Sequence, residues 1–308
     1  MPTGGNWYRG RNRGLRTEDG DRSAHRDGPR ISVVVPVLNE ARNLRQVLPT
    51  IPRDYEVIVV DGGSVDDSMA VVAELRADAI RLRQTRWGKG NALSCGFAAA
   101  TGDVIVMFDA DGSADAREID AFVATLMAGA DFAKGTRFAA GGGSVDITAL
   151  RRAGNHGLTA VANQLFGMHF TDLCYGYNAF WRDVLPLLEL PDQRPADGVF
   201  RWGDGFEIET VITCRAAAAG LVIREVPSQE RHRLHGPSNL HAWRDGRRVL
   251  RTLVHEWRSR DRSIRLSPAA RYFASSIAET GHPLAECPMP APHRPAAAEA
   301  LAADKAGE

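Results

Sequence analysis

The sequence predicts an α/β fold, a mostly parallel, twisted sheet flanked by helices in one large domain. Three observations carry this. The strand-like runs are apolar on both faces, as in the Val-Val-Val of 33–35 and the Val-Ile-Val-Val of 57–60. Strands of that kind lie between covering layers. Helix-period segments separate them, and polar clusters stand directly after them.

Taken in order, 31–37 is a β-branched buried strand, and 41–48 a helix that ends before Pro52. A second buried strand, 55–60, leads through a Gly-Gly-Ser turn to a helix over 66–76, capped by Ser64 or Asp66. A weaker strand spans 80–84. A helix over 89–100 is expected to end at Thr101-Gly102, with the glycine as its C-terminal cap. Then come a strand at 104–108, a helix at 115–128 and a strand at 131–134.

The chain has 308 residues, enough for one large domain with extensions. Hydrophobic residues make up 44% and charged residues 25%, a globular composition. A formal net charge of zero argues against a general nucleic-acid binder. The charge is uneven, however: residues 215–271 hold thirteen Arg, no Lys and five acids, a stretch that suits phosphates or an anionic membrane. Lysine occurs only at Lys89, Lys134 and Lys305, which suits a GC-rich bacterial genome; the first two fall within motifs. Cys95, Cys174, Cys214 and Cys287 are far apart and form no metal-ligand pair, in keeping with a reducing compartment. Residues 1–29 read as a disordered basic arm, 30–275 as the domain, and 276–308 as a disordered tail rich in Pro and Ala. No apolar run approaches the roughly 18 residues of a membrane span, so a cytoplasmic protein, or one peripheral at the cytosolic membrane face, is expected.

In parallel sheets ligands bind beyond the carboxyl ends of the strands. Four polar clusters stand there: Asn39-Glu40, Asp61, Asp109-Ala110-Asp111 and Gly135 to Arg137. Two carboxylates two residues apart, leaving a buried strand, can converge on Mg²⁺ or Mn²⁺, which prefer oxygen ligands and keep substrate phosphates in their shell. An isolated Asp-x-Asp is more often a pair of solvated acids; its place after the strand at 104–108 favours the metal. Asp61-Gly62-Gly63-Ser64 offers an acceptor for a base or ribose, with glycines that let a ligand come close. Gly88-Lys89-Gly90 opens a helix and suits an anion. It is no P-loop, because the upstream glycine spacing is absent.

The set Val-Val-Pro-Val-Leu-Asn-Glu (34–40), Val-Asp-Gly-Gly-Ser (60–64), Gly-Lys-Gly-Asn-Ala (88–92) and Phe-Asp-Ala-Asp-Gly (108–112) resembles the nucleotide-sugar half of family 2 glycosyltransferases of the GT-A (Rossmann-like) fold. More narrowly it resembles the dolichol- or polyprenol-phosphate mannosyl- and glucosyltransferases. The similarity runs on through Lys134-Gly135-Thr136-Arg137, 150–155, 171–180, 205–209 and 235–240. That resemblance implies an inverting, metal-dependent hexosyltransferase using a GDP-mannose or UDP-glucose type of donor, with polyprenyl phosphate as acceptor. Pro36, Asn39, Glu40, Asp61, Lys89, Gly90, Asp109 and Ala110 would line the nucleotide-sugar pocket, and Asp109 and Asp111 would hold the metal. Asp109, Asp111, Arg137, Asp172 and Glu207 would form the catalytic set. Arg137, Arg151, Arg152, Arg231, Arg233 and His235 would meet the acceptor phosphate. Two departures stand out: relatives often carry Asp-Asp-Gly-Ser where this chain has Asp61-Gly62-Gly63-Ser64, and many carry Lys where Asn239 follows Gly236-Pro237-Ser238.

A phosphate acceptor is already anionic and needs no strong base; a hydroxyl acceptor would need one, with Asp172 or Glu207 as candidates. A soluble acceptor (phosphorylated small molecule, glycan or secondary metabolite) is the alternative. A non-catalytic nucleotide-sugar binder is another, and a nucleotidyltransferase would show a Gly-rich phosphate loop that 34–40 lacks. Finally, 240–260 reads as an amphipathic helix with Trp243, Leu250, Leu253, Val254 and Trp257 on one face among many Arg. That face suits a membrane interface, a membrane subunit, or the protein's own body.

Overall fold

The structure, a computed structural model, describes residues 28–194, 197–236 and 242–263. Apart from residues 28 and 29, the arm expected at 1–29 lies outside these, as do the tail at 276–308 and Ser238 and Asn239. The chain alternates as β1 (Ile31–Val37), α1 (Ala41–Val47), β2 (Glu56–Asp61), α2 (Ser68–Leu75), β3 (Ile80–Arg83), α3 (Lys89–Ala99), β4 (Val104–Met107), α4 (Ile119–Met127) and β5 (Phe132–Thr136). Each agrees with the sequence reading to within about two residues except α4, expected from 115, which starts four residues later because Ala116–Glu118 form a 3-10 turn. Then follow β6 (Gly143–Ser144), α5 (Ala149–Phe166), β7 (Asn178–Trp181), α6 (Ile208–Ala218), β8 (Ile223–Pro227), β9 (Gln229–Glu230) and α7 (Ala242–Ser263).

The main sheet has seven strands in the order β3-β2-β1-β4-β7-β5-β8. All pairings are parallel except those of β7, which runs antiparallel between β4 and β5. Because β7 is reversed, β5 still points the same way as β1, β2 and β4. Their carboxyl ends therefore share one rim. Two parallel residue pairs, β6 with β9, form a small second sheet beside it.

The β-branched strands account for the core: 33–35 and 58–60 are wholly buried, with Phe108, Phe122, Phe132 and Phe180 packed around them. Helix α3 lies close on the sheet because Gly96 has no side chain; a Cβ there would stand 2.3 Å from Val34. The glycine expected to cap α3 does something else. The helix ends in an extended Ala100 (φ −65°, ψ 128°), and Gly102 instead fits tightly against the start of β1, where a Cβ would lie 2.6 Å from Ser32 Oγ. Of the two caps offered for α2, Asp66 is the one that meets the helix, accepting from Ser68 N at 3.0 Å; Ser64 Oγ accepts from Asn39 N instead.

A second apolar cluster joins α5, α6 and α7 through Ala162, Phe166, Cys214, Ala217 and Leu253. Thr252, Leu253 and Glu256 form the buried face of α7. Glu256 accepts from Arg215 Nε (2.9 Å) and Trp202 Nε1 (2.7 Å). The single apolar face expected of this helix is thus divided. Leu253 packs on the body, while Trp243, 77% exposed, and the more covered Leu250 and Trp257 line the outer side.

Candidate active site

The strand ends bring the predicted residues to one rim. After β1, Asn39 adopts a left-handed backbone (φ 58°). Its Oδ1 accepts from Val65 N (2.8 Å), tying the loop after β1 to the loop after β2. Asp61 ends β2, and its Oδ1 accepts from Ser64 N, three residues on, at 2.9 Å. Gly63 (φ 96°) leaves space in which an added Cβ would stand 3.8 Å from the guanidinium of Arg83 and 4.0 Å from the exposed ring of Trp87. Neither Arg83 nor Trp87 was singled out from sequence. Pro36 lies half-buried in β1, and Ala110 is buried between the two acids that flank it.

Those acids are each held by an internal cation. Lys89 Nζ lies 2.7 Å and 2.9 Å from the two carboxylate oxygens of Asp109, and 2.6 Å from Glu209 Oε1. Burial works against the Lys89 charge, but Asp109 and Glu209 outweigh it and raise its pKa above the ordinary lysine value. Asp111 accepts from Ser113 N (2.9 Å) and Oγ (2.7 Å), and its other oxygen is 3.3 Å from Arg233 Nη1. Arg233 also pairs with Glu40, which in turn accepts from Asn43. The segment 231–236 crosses over this point: Leu234 N donates to Asp111 O (3.0 Å) and Arg231 N to Ser113 O (2.9 Å). Gly112 (φ 80°) makes room for Leu234, which a Cβ would meet at 2.4 Å.

Lys89 owes its position to backbone packing. Gly88 and Gly90 abut the loop 203–205, and a Cβ on Gly90 would fall 1.8 Å from Gly203 O. Asn91 N donates to Asp204 O at 3.0 Å, so the loop takes up that amide of the first turn of α3. Gly90→Ala is accordingly expected to destabilise the protein by several degrees in melting temperature; an unchanged thermal melt would show that the loop can move aside at no cost. Glu207 organises the same loop, its Oε1 accepting from Gly203 N (3.1 Å) and Gly205 N (3.2 Å).

On the other side of the rim, Arg137 is fully engaged. Its Nε and Nη2 grip Asp172 at 2.7 and 3.0 Å, and Nη1 reaches Glu230 at 3.1 Å. Asn155 Nδ2 also donates to Asp172 (3.0 Å). Burial pushes the Asp172 carboxyl up, but Arg137 and Lys134 more than reverse this, so its pKa lies below the ordinary value. A buried carboxylate held in this way is a weak base. Thr148 Oγ1 caps α5 at Arg151 N, which sets Arg151 and Arg152 on its first turn. The Arg152 guanidinium stands 5.8 Å from the Phe138 ring centre. Arg231 pairs with Asp115, and the ring of His235 meets Gln46 at 2.9 Å. Arg231, Arg233 and His235 therefore lie beside the Asp109–Asp111 cluster, while Arg151 and Arg152 belong to the side built on Arg137.

The oxygen donors at this rim are of the kind a divalent cation takes. Glu40, Asp109, Asp111 and Glu209 bring four formal negative charges against the two positive charges of Lys89 and Arg233. The excess of two equals the charge of Mg²⁺ or Mn²⁺. Among the described residues no group of three or more His, Cys, Asp or Glu side chains could hold a metal ion by itself. Such a site suits an ion that completes its shell with water and substrate phosphate.

The sequence profile of glycosyl transferase family 2 matches residues 32–187. A polyprenol monophosphomannose synthase of Mycolicibacterium smegmatis is 30% identical over 264 residues, covering 82% of this chain and 95% of that protein. An uncharacterized glycosyltransferase of Mycobacterium tuberculosis is 41% identical over 110 residues; the match spans 36% of this chain and 50% of that relative's length. Among solved structures, glucosyl-3-phosphoglycerate synthase of Mycobacterium tuberculosis, in complex with Mn²⁺, UDP and glucosyl-3-phosphoglycerate, superposes with a TM-score of 0.57 at 23% identity, covering 75% of this chain and 80% of that one. At that identity the likeness concerns the fold, which is GT-A-like in both. With half the chain matched by the profile and a full-length relative besides, this protein belongs to glycosyl transferase family 2.

Proposed function

We propose that the chain is an inverting hexosyltransferase that moves a hexose from a nucleoside-diphosphate sugar to the phosphate of polyprenyl phosphate, residues 30–275 forming the catalytic domain. The observation that carries this reading is the carboxylate cluster at the end of β4, where Asp109, Asp111, Glu40 and Glu209 outnumber Lys89 and Arg233 by two charges. When bound, Mg²⁺ or Mn²⁺ would be held by Asp109 and Asp111 and would offset negative charge on the departing diphosphate. Asn39, Glu40 and Asp61, with Pro36 and Ala110, would position the nucleotide; Lys89 and Arg233 would follow the diphosphate as it leaves. An oxygen of the acceptor phosphate bonds to the anomeric carbon while the bond from that carbon to the diphosphate breaks. Such an acceptor needs no general base, which agrees with an Asp172 locked to Arg137 and a Glu207 occupied with backbone amides. Arg151 and Arg152, at the open start of α5, are the cations proposed to meet the acceptor phosphate, with Arg137 behind them.

The polyprenyl acceptor is supported by the relative named for a polyprenol product. A soluble phosphate acceptor is the second reading, favoured by solved structures of the same fold crystallised with phosphoglyceric acid. Both acceptors present a phosphate group to the same cations. Among the described residues no helix is long and apolar enough to cross a membrane. We place the meeting with a lipid acceptor at the cytosolic membrane face, through peripheral contact of the outer side of α7 with the membrane or with a membrane subunit.

The test is transfer from labelled UDP- and GDP-sugars, with Mn²⁺ or Mg²⁺, into a short polyprenyl phosphate and into 3-phosphoglycerate in parallel. Label entering the lipid supports the first reading; label entering only the soluble acceptor moves the assignment to the second. Failure to bind any donor, with or without metal, would defeat both.

A further inference from the structure

Beside the Arg137 side of the rim the surface opens into a groove of about 310 Å³ to which the transfer reading gives no task. One side of it is a face of α5, on which His156, Thr159, Ala160 and Asn163 recur at helical spacing. The other side is built by Phe138, after β5, and by Phe170 and Thr171, after α5. Arg152 lies one turn before His156 and so stands at the head of the groove.

The groove changes character along its length. At its head the Phe138 ring centre is 5.6 Å from the Arg137 guanidinium and 5.8 Å from that of Arg152, with the His156 ring centre at 4.7 Å. Further along, the polar side chains are spent on the protein itself. Thr159 Oγ1 accepts from Leu173 N (3.1 Å). Asn163 closes both ends of its amide on the Phe170 backbone, donating to its O (2.9 Å) and accepting from its N (2.8 Å). Thr171 Oγ1 donates to Glu225 Oε2 (2.8 Å). The surface left for an occupant there is apolar: the two phenylalanine rings and the Ala160 methyl.

A phosphate ester suits such a groove head first, with the phosphate beside the guanidinium groups and its organic part along α5. A hydroxylated organic part would bring hydroxyls to a wall whose polar atoms are already taken, and each would lose water without replacement. A hydrocarbon chain meets no such cost and gains by leaving water. An apolar cavity of about 150 Å³ takes one benzene ring. The groove has about twice that space, room for two five-carbon isoprenoid units, and from His156 to Asn163 the helix advances about 10 Å.

We propose that the α5 groove is the tail subsite of the acceptor, holding the first two isoprenoid units behind the phosphate while the rest of the chain runs outside it. The inference rests on the polyprenyl reading for its effect on transfer, but not for its effect on binding.

The experiment measures, by calorimetry on the full chain, the binding of prenyl monophosphates of one, two and three isoprenoid units, each below its micelle concentration, beside transfer of labelled sugar into the same compounds and into 3-phosphoglycerate. Wild type should bind the two-unit phosphate about tenfold more tightly than the one-unit phosphate, and the three-unit phosphate within about threefold of the two-unit one. Ala160→Phe puts a ring where the second unit would lie and should bring the one- and two-unit affinities to within about twofold of each other. Ala160 is exposed, so the variant should fold, which its thermal melt checks; if it does not, Ala160→Leu is read in the same way. Gly157→Phe adds the same ring to α5 outside the groove, where a Cβ has nothing within 4 Å, and should keep the wild-type preference. Equal binding of one and two units by wild type, a preference that survives filling the groove at Ala160, or one lost equally in Gly157→Phe overturns the proposal. Sugar entering only 3-phosphoglycerate defeats the polyprenyl reading instead, and the binding series, which needs no transfer, then decides the groove by itself.

Discussion

Replacing Asp111 with alanine is expected to lower sugar transfer by roughly 10²–10³-fold, the range seen when one pre-aimed electrostatic group is removed from an active site. The expectation follows from charge. Asp111 is one of four carboxylates facing Lys89 and Arg233, and its loss halves the surplus that a divalent cation would balance. Metal affinity should fall with activity, so a part of the lost rate should return at high Mn²⁺. Stability should change little, because Asp111 is partly exposed and its main protein partner, Ser113, can turn to water. The comparison to make is kcat/KM against metal concentration for wild type and variant, beside their thermal melts. Activity within threefold of wild type, with the same metal dependence, would remove Asp111 from the site.

The half of the site built on β1, β2 and β4 was readable in the sequence because each strand is a run of Val and Ile followed at once by acids or amides. Burial on both faces and a polar end are local properties, and 31–37, 56–61 and 104–107 have both. The other half was not readable in the same way. β7 is four residues, Asn-Ala-Phe-Trp, and its antiparallel direction is set by its neighbours β4 and β5 rather than by its own pattern. β8 at the sheet edge is Ile-Arg-Glu-Val-Pro, with Arg224 exposed, and lacks the apolar run of the inner strands. The pairings that define the site are long-range. Lys89 meets Glu209, Arg233 meets Glu40, and Arg137 meets Glu230, contacts that no spacing along the chain can show. The glycines of 88–90 illustrate the same limit. Read alone they suit an anion; in the fold they are the space required by a loop more than a hundred residues away.

That loop sets the second large effect. Asp204→Ala is expected to cost about 3–5 kcal/mol, because it strands a buried charge. Arg86 Nε and Nη2 each meet an Asp204 oxygen at 2.8 Å, and neither side chain has any solvent exposure. Among the described residues Arg86 Nη1 has no acceptor, so none of them stands ready to take over. For a domain of this size about 2–4 °C of melting temperature accompanies each kcal/mol, a loss easily read in a thermal melt. The pair has a second role, because Asp204 O also accepts from Asn91 N and the loop holds Gly88 and Gly90 from behind. Two variants separate the roles. Arg86→Met with Asp204→Leu removes both charges at similar volume and should recover most of the stability, since buried pairs gain little over apolar packing. If the double variant also recovers transfer, the pair serves the fold alone. If it melts like wild type yet transfers poorly, the bidentate bond is what places the loop behind Lys89, and with it the charge that faces Asp109.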